Sequence, residues 1–414
     1  MNVDMTSVVK QEIMALNGDE AIAFAAKQSD VDVVAAYPIT PQTIIVEKFS
    51  EYVANGEVQT EFVCTESEHS ALAACLAASV TGARTFTASA SAGLALMHEM
   101  LFVTSGCRAP VVMAIANRAL SAPLNIHGDQ SDSMAERDSG WIQVYVENSQ
   151  EAYDSIIQAF RIAEDVGVLL PIIVGLDGFT LSHSLENVKV LEDDVVKQFV
   201  GVRQLPDVLT HEGKSVPFKL DPENPMTMGP IAFPNYYFEF KRQQEEAMKN
   251  ALEMIQKVNA EYAALTGRSY GDGLLEPYYL EDAEVAIVCV GSTSGTLKTI
   301  VDALRQEGVK AGLLRLRTFR PLPVEALRSA LQNVKVLAVM DKSMSFGGNG
   351  GAVFHEVRHV LYDVKVHPIV VNYIYGLGGR DYSPRELRRV YEELLRILKG
   401  GHVEKQITYL GLRE

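Results

Sequence analysis

Val31-Asp32-Val33-Val34-Ala35-Ala36-Tyr37-Pro38-Ile39-Thr40-Pro41-Gln42-Thr43 is the stretch from which the fold can be read. An apolar run (31–36) meets a stiff loop, and an amphipathic run (43–52) follows. Each proline fixes its own φ and pushes the residue before it toward extended geometry, so Tyr37 and Thr40 are held at the carboxyl end of a strand. Ligands collect at that end of open α/β sheets. A hydroxyl on a rigid loop can be aimed at a substrate oxygen at little entropic cost. An ordinary strand-to-helix turn, with Pro41 opening the helix and Thr40 capping it, accounts for the same residues.

Working outward, helix-period and short apolar runs alternate. Helices are expected over 18–29, 41–54, 68–79, 93–104 and 149–165, and strands over 31–36, 59–64, 85–90, 110–116 and 171–176. Such alternation predicts a parallel sheet covered on both faces, an α/β fold. Residues 186–280 break the pattern with a charged stretch, a proline-rich segment and one long helix over 238–266, and read as a connector. A second, smaller doubly wound unit follows, with strands over 285–290, 311–316, 334–340 and 366–371 and a closing helix over 384–398. The expected division is therefore 1–185, 186–280 and 281–414.

Composition limits the function. The chain has 414 residues, 47% of them apolar, enough for two or three cores. No membrane span or secretory signal is visible, and a cytoplasmic location is expected. A net charge of −16 argues against nucleic acid or an anionic membrane as partner. The four cysteines, at 64, 75, 107 and 289, share no CxxC spacing and read as buried small apolar residues rather than zinc or cluster ligands. No metal is expected to be held by this chain alone.

Two further constellations can carry chemistry. Thr65-Glu66-Ser67-Glu68-His69 opens a helix of small residues, SALAACLAAS, whose surface admits close approach of another subunit. Either glutamate could equally be a first-turn residue favoured by the helix dipole. Asn117-Arg118 follows the strand over 110–116; the guanidinium could grip a substrate carboxylate bidentately or form a structural salt bridge. The polar loop Ile126-His127-Gly128-Asp129-Gln130-Ser131-Asp132 lies just beyond, and loops of this kind are commonly functional.

Taken in order, YPITP, TESEHSA, RTFTASASAGLALMHEML, NRALSAP, HGDQSDSMAERDSGW, VGSTSGTLKTIVDALRQEGVKAGLLRLRTFRPLP and YGLGGRDYSP resemble the α subunit of the multi-subunit 2-oxoacid:ferredoxin oxidoreductases, most closely the pyruvate synthases. The resemblance implies a pyrimidine-side thiamine-diphosphate-binding domain followed by a transketolase-C-like domain. It implies a cofactor shared with a β subunit, which holds the diphosphate, Mg and a 4Fe-4S cluster. It also implies a γ subunit, a ferredoxin-like δ subunit, ferredoxin as acceptor, and coenzyme A as co-substrate of a reversible oxidative decarboxylation.

Carried over by position, Glu68 would match the glutamate that hydrogen-bonds N1′ of the aminopyrimidine, with Glu66 the runner-up. Thr40 would match the hydroxyl on the substrate carboxylate and Arg118 the cation holding it, with Tyr37 and Ile39 also at the substrate and Pro38, like Glu68, at the cofactor. Gln130 departs from the family's pattern, where histidine is frequent. One arginine with Thr40 suits a small 2-oxoacid such as pyruvate; branched-chain 2-oxoacids, 2-oxoglutarate or oxalate, or a non-catalytic scaffold role, are the alternatives.

Overall fold

The computed structural model describes residues 8–364 and 367–413. Val111–Asn117, Thr85–Ser89, Ile142–Tyr145 and Ile172–Asp177 are buried along their whole length, as strands covered on both faces must be. They join Val33–Ala36 and Glu61–Cys64 in a sheet of six parallel strands. Across it the order is Ile142–Tyr145, Ile172–Asp177, Val111–Asn117, Thr85–Ser89, Val33–Ala36, Glu61–Cys64. From Val33–Ala36 the chain first builds outward to Glu61–Cys64 and then returns to the other side. The switch point of this open sheet therefore lies between Val33–Ala36 and Thr85–Ser89, where a ligand crevice is expected.

Several local expectations shift. The helix expected from Pro41 begins at Thr43 with Gln42 as its cap residue, so Thr40 neither caps it nor precedes its first position. The buried Gln42 side chain instead fastens the loop, donating to the carbonyls of Ala88 (2.7 Å) and Tyr37 (3.3 Å) and accepting from Ile39 N–H (3.3 Å). The helix expected over 93–104 is two helices, Ser91–Leu96 and His98–Gly106, separated at Met97. Glu186–Val190 pairs antiparallel with Glu12–Leu16, and Asp193–Val200 is an amphipathic helix burying Val195, Val196, Phe199 and Val200. Neither is visible as an element in the sequence, because charge interrupts both. Cys75 and Cys289 are buried, but Cys64 is exposed and Cys107 only partly covered, which corrects the expectation for those two. Cys64 ends the outermost strand of the sheet, paired with Ala36 on one side and with no described strand on the other.

The long helix, Tyr237–Thr266, leads to a second sheet in the order Leu275–Tyr278, Ala311–Leu316, Val285–Cys289, Val336–Asp341, Ile369–Ile374, Ile407–Tyr409. Its pairings are parallel except at Leu275–Tyr278. Val366, expected within a strand, lies outside the described residues. The two sheets are joined covalently and by pairing, since Thr318–Arg320 leaves the second unit to lie antiparallel against Ile142–Tyr145 of the first. No described helix is long and apolar enough to cross a membrane.

One buried group opposes the fold. Asp19, in the first turn of Gly18–Gln28, is fully buried, and neither carboxyl oxygen meets a donor among the described residues. Burial, with Glu20 adding to it, raises its carboxyl well above the ordinary value. A raised folded value means that stability falls as pH rises from about 4, where the unfolded chain ionises, toward the folded value. Asp19→Asn should therefore stabilise the chain by about 1–2 kcal/mol at pH 8 and by progressively less toward pH 4. Denaturant unfolding at the two pH values checks this; a gain independent of pH would rule out the carboxyl as its source.

Candidate active site at the carboxyl edge of the first sheet

Glu68 is the first residue of the helix Glu68–Val80 and is buried. Ser67 caps the helix through its side chain, which turns Glu68 inward. Its carboxylate lies against the bare Cα of Gly93: a Cβ there would stand 2.5 Å from Glu68 Oε1 and 2.6 Å from Ser89 Oγ. Only glycine permits that approach. Among the described residues nothing donates to the Glu68 carboxylate, and Ser89 Oγ is buried without a partner. Glu66, two residues earlier, is exposed and accepts from Ser70 Oγ, an interaction that lowers its carboxyl below the usual range. The two glutamates are thus placed differently, one inward and unpaired, the other outward and engaged.

Arg118 follows Val111–Asn117 and is also buried. Its Nη1 donates to the Thr40 carbonyl (2.8 Å) and its Nε to the Asn125 carbonyl (3.0 Å), and no described carboxylate forms an ion pair with it. The Thr40 loop and the Arg118 loop are therefore brought together across the Thr85–Ser89 strand. Thr40, Tyr37 and Pro38 are exposed at the edge, and Ile39 is half-buried. A buried cation held only by carbonyls, beside an exposed hydroxyl, is suited to an incoming carboxylate.

Asp132 connects the two halves of this edge. Its Oδ2 accepts from the backbone N–H groups of Ser91 and Arg118 (both 2.9 Å), and its Oδ1 from Asn117 Nδ2 (2.8 Å) and Ser133 N–H (2.7 Å). Burial pushes the carboxyl up to about 7 against the downward pull of those donors. Ser91, held in the left-handed region at φ 46°, is pinned further by its Oγ donating to the Ala119 carbonyl (2.6 Å). A strained residue persists only where neighbours over-determine it.

Gln130 sits behind this edge rather than in it. Its side chain donates to Asp177 Oδ1 (3.3 Å), while Asp177 Oδ2 accepts from Lys342 Nζ (3.1 Å) and Ser292 N–H (2.9 Å). Burial would raise the Asp177 carboxyl, but Lys342's charge and the Ser292 donors outweigh it and leave it low. His127 is exposed, and Asp129 and Asn125 fasten the same loop to Gly378 of the second unit. This loop therefore couples the two units.

Residues 24–260 match the family described as pyruvate flavodoxin/ferredoxin oxidoreductase, thiamine diphosphate-binding, and residues 283–387 match pyruvate:ferredoxin oxidoreductase core domain II. The chain is 49% identical to the pyruvate synthase subunit PorA of Methanocaldococcus jannaschii, covering 97% of this chain and 99% of that one. It is 47% identical to the PorA of Thermotoga maritima at the same coverages. The ketoisovalerate oxidoreductase subunit VorA of Pyrococcus horikoshii is 42% identical, covering 96% and 98%. In fold it resembles the 2-oxoglutarate:ferredoxin oxidoreductase of Magnetococcus marinus, with TM-score 0.70 at 21% identity, covering 93% of this chain and 66% of that one. It also resembles a split-gene transketolase, with TM-score 0.51 at 13% identity. The class is thus an α/β fold shared with oxidoreductases and transketolases, carrying a thiamine-diphosphate-binding domain. The chain belongs to the pyruvate flavodoxin/ferredoxin oxidoreductase family.

The site's supporting groups were less legible in the sequence than its named ones. Gln42, Ser89, Ser91, Gly93 and Asp132 do their work through contacts between residues distant in sequence. Gly93 alone carried a local hint, a glycine at the expected opening of a helix, where it costs stability unless close approach requires it.

Proposed function

We propose that this chain is the α subunit of a pyruvate synthase, which with coenzyme A and ferredoxin interconverts pyruvate and acetyl-coenzyme A plus carbon dioxide. The observation that carries the reading is a half-site: among the described residues, a buried carboxylate without a donor and a buried guanidinium without a carboxylate lie on one edge of one sheet. A β subunit would supply the rest, holding the diphosphate, Mg and a 4Fe-4S cluster, with γ and ferredoxin-like δ subunits completing the assembly. The buried Glu68, to which no described residue donates and which packs against the bare Cα of Gly93, fits the pyrimidine side of thiamine diphosphate. When bound, that group supplies the carbon nucleophile and electron sink for decarboxylation.

Glu68 would hydrogen-bond the pyrimidine ring and hold the proton there. Arg118 would orient the substrate carboxylate, and the Thr40 hydroxyl would donate to it. Pyruvate is favoured over dianionic 2-oxoacids because, among the described residues, the edge offers one cation without a carboxylate, and each buried negative charge needs a partner. Purifying the native complex and assaying a panel of 2-oxoacids with coenzyme A and a low-potential acceptor tests this. Preference for a branched or dianionic acid would overturn the substrate, and a complex free of thiamine diphosphate would overturn the whole reading.

Arg118→Lys keeps the charge but loses the planar fork that engages Thr40 and Asn125. In the assembled complex kcat/KM for pyruvate should fall by about 10- to 100-fold, mostly through KM. An unchanged KM would remove Arg118 from substrate binding.

A further inference from the structure

We infer that Ser89 is a positioning residue for Glu68, its hydroxyl donating to the Glu68 carboxylate in the assembled site. The inference rests on the reading of Glu68 given above and gives a role to Ser89, which the quoted motifs include without assigning it one.

The strand Thr85–Ser89 alternates in a way that makes Ser89 anomalous. Phe86 and Ala88 belong to the main core, so Thr85, Thr87 and Ser89 face the opposite side. There they stand beside Val111, Met113 and Ile115, with which they are paired in register, under Ala71, Leu72 and Cys75 of the Glu68 helix. This wall is apolar. Thr87 satisfies its hydroxyl on the Ala35 carbonyl (2.7 Å), and being β-branched it also suits a strand. Thr85 Oγ1, on the same face, also lacks a partner among the described residues, but its branched side chain suits a strand; Ser89 has neither justification, being fully buried, unpaired among the described residues and unbranched.

What Ser89 does face is the space over Gly93, whose other boundary is Glu68 Oε1. The loop that creates this space is held by strain and by partners. Ser91 is fixed at φ 46° by Asp132 and the Ala119 carbonyl, and Gly93 follows two residues later. A buried hydroxyl costs stability unless paired, and a buried carboxylate needs donors. Each group supplies what the other lacks. Both oxygens border the same point over Gly93, and a hydrogen bond between them in the assembled site would fix one carboxylate oxygen and leave the other for the pyrimidine.

A hydrogen bond to the ionised form also lowers the carboxyl's proton affinity, which gives a signature that simple packing does not. In the assembled complex Ser89→Ala should still fold and assemble, since alanine fits where serine does. At the same time kcat/KM should fall about 10-fold, and the acid limb of its pH profile should move to higher pH. Ser89→Cys, similar in volume with a weak donor, should fall between the two and serves as the reading if the alanine variant does not assemble. In a Glu68→Gln background the Ser89→Ala change should have little further effect, because the pair it would break is already altered.

A Ser89→Ala complex with wild-type kcat/KM and an unmoved acid limb would overturn the inference. If Glu68→Gln itself retained full turnover, the reading of Glu68 would fail instead; a crippled Glu68→Gln beside a silent Ser89→Ala would sink only the present inference.

Discussion

Glu68→Gln in the reconstituted complex should leave assembly and thiamine diphosphate content intact while turnover falls about 100- to 1000-fold. Glutamine has the shape of glutamate, so the contact over Gly93 and the first turn of Glu68–Val80 should survive. What is lost, on the proposed reading of Glu68, is the capacity to hold or release a proton next to the pyrimidine. Because the carboxylate is buried and no described residue donates to it, no neighbour is in place to substitute. The matching control is Glu66→Gln. Glu66 is exposed and occupied with Ser70, so its replacement should barely change turnover. A chain that only assembled its partners would tolerate both changes, and steady-state kinetics of the two variants separate the possibilities.

The second large effect is expected at the junction of the two units. Glu151 is fully buried in the first turn of Ser149–Ala163 and accepts from Arg315 Nη2 (2.5 Å), Arg317 Nε (2.7 Å) and Glu147 N–H (2.8 Å). Arg315 also reaches Glu276 (2.7 Å) and the Tyr145 carbonyl (3.1 Å), while Arg317 reaches Ser155 and the Gly273 carbonyl (both 2.9 Å). Burial alone would raise the Glu151 carboxyl, but the two guanidinium charges outweigh it and hold it below the usual range. Glu151→Ala leaves two buried cations without their shared carboxylate, a change that costs about 3–5 kcal/mol.

The cost should depend on pH. A lowered folded value means that Glu151's contribution is complete above about pH 5, where the unfolded carboxyl is ionised, and is lost as pH falls through the folded value. The variant and wild type should therefore converge in stability toward acid. Unfolding curves at pH 7 and in the acid range test this, and a variant as stable as wild type at pH 7 would show the network to be dispensable.

Much of the architecture is legible in single segments. Short apolar runs such as Val111–Asn117, too short for a helix and rich in β-branched residues, read as strands covered on both faces, and the spacing of Leu387, Val390, Tyr391 and Leu394 announces a helix with one buried face. YPITP marks a carboxyl-end loop because proline restricts the chain locally, whatever the surroundings. Where the local pattern is weak, the coordinates depart from expectation. Glu186–Val190 carries charge and depends on pairing with Glu12–Leu16, nearly the whole first sheet away in sequence. Thr318–Arg320 is three residues long and is a strand only because Ile142–Tyr145 receives it.

Residue chemistry and spacing therefore sufficed for the α/β class, the family resemblance and the short list of charged groups, since each depends on interactions within a few turns of chain. Which glutamate faces inward, what leaves Arg118 free of a carboxylate, and why Gly93 and Ser89 matter depend on atoms brought together from four separate loops. Those contacts arise from how strands are ordered in the sheet, and strand order is a long-range property that no local periodicity encodes.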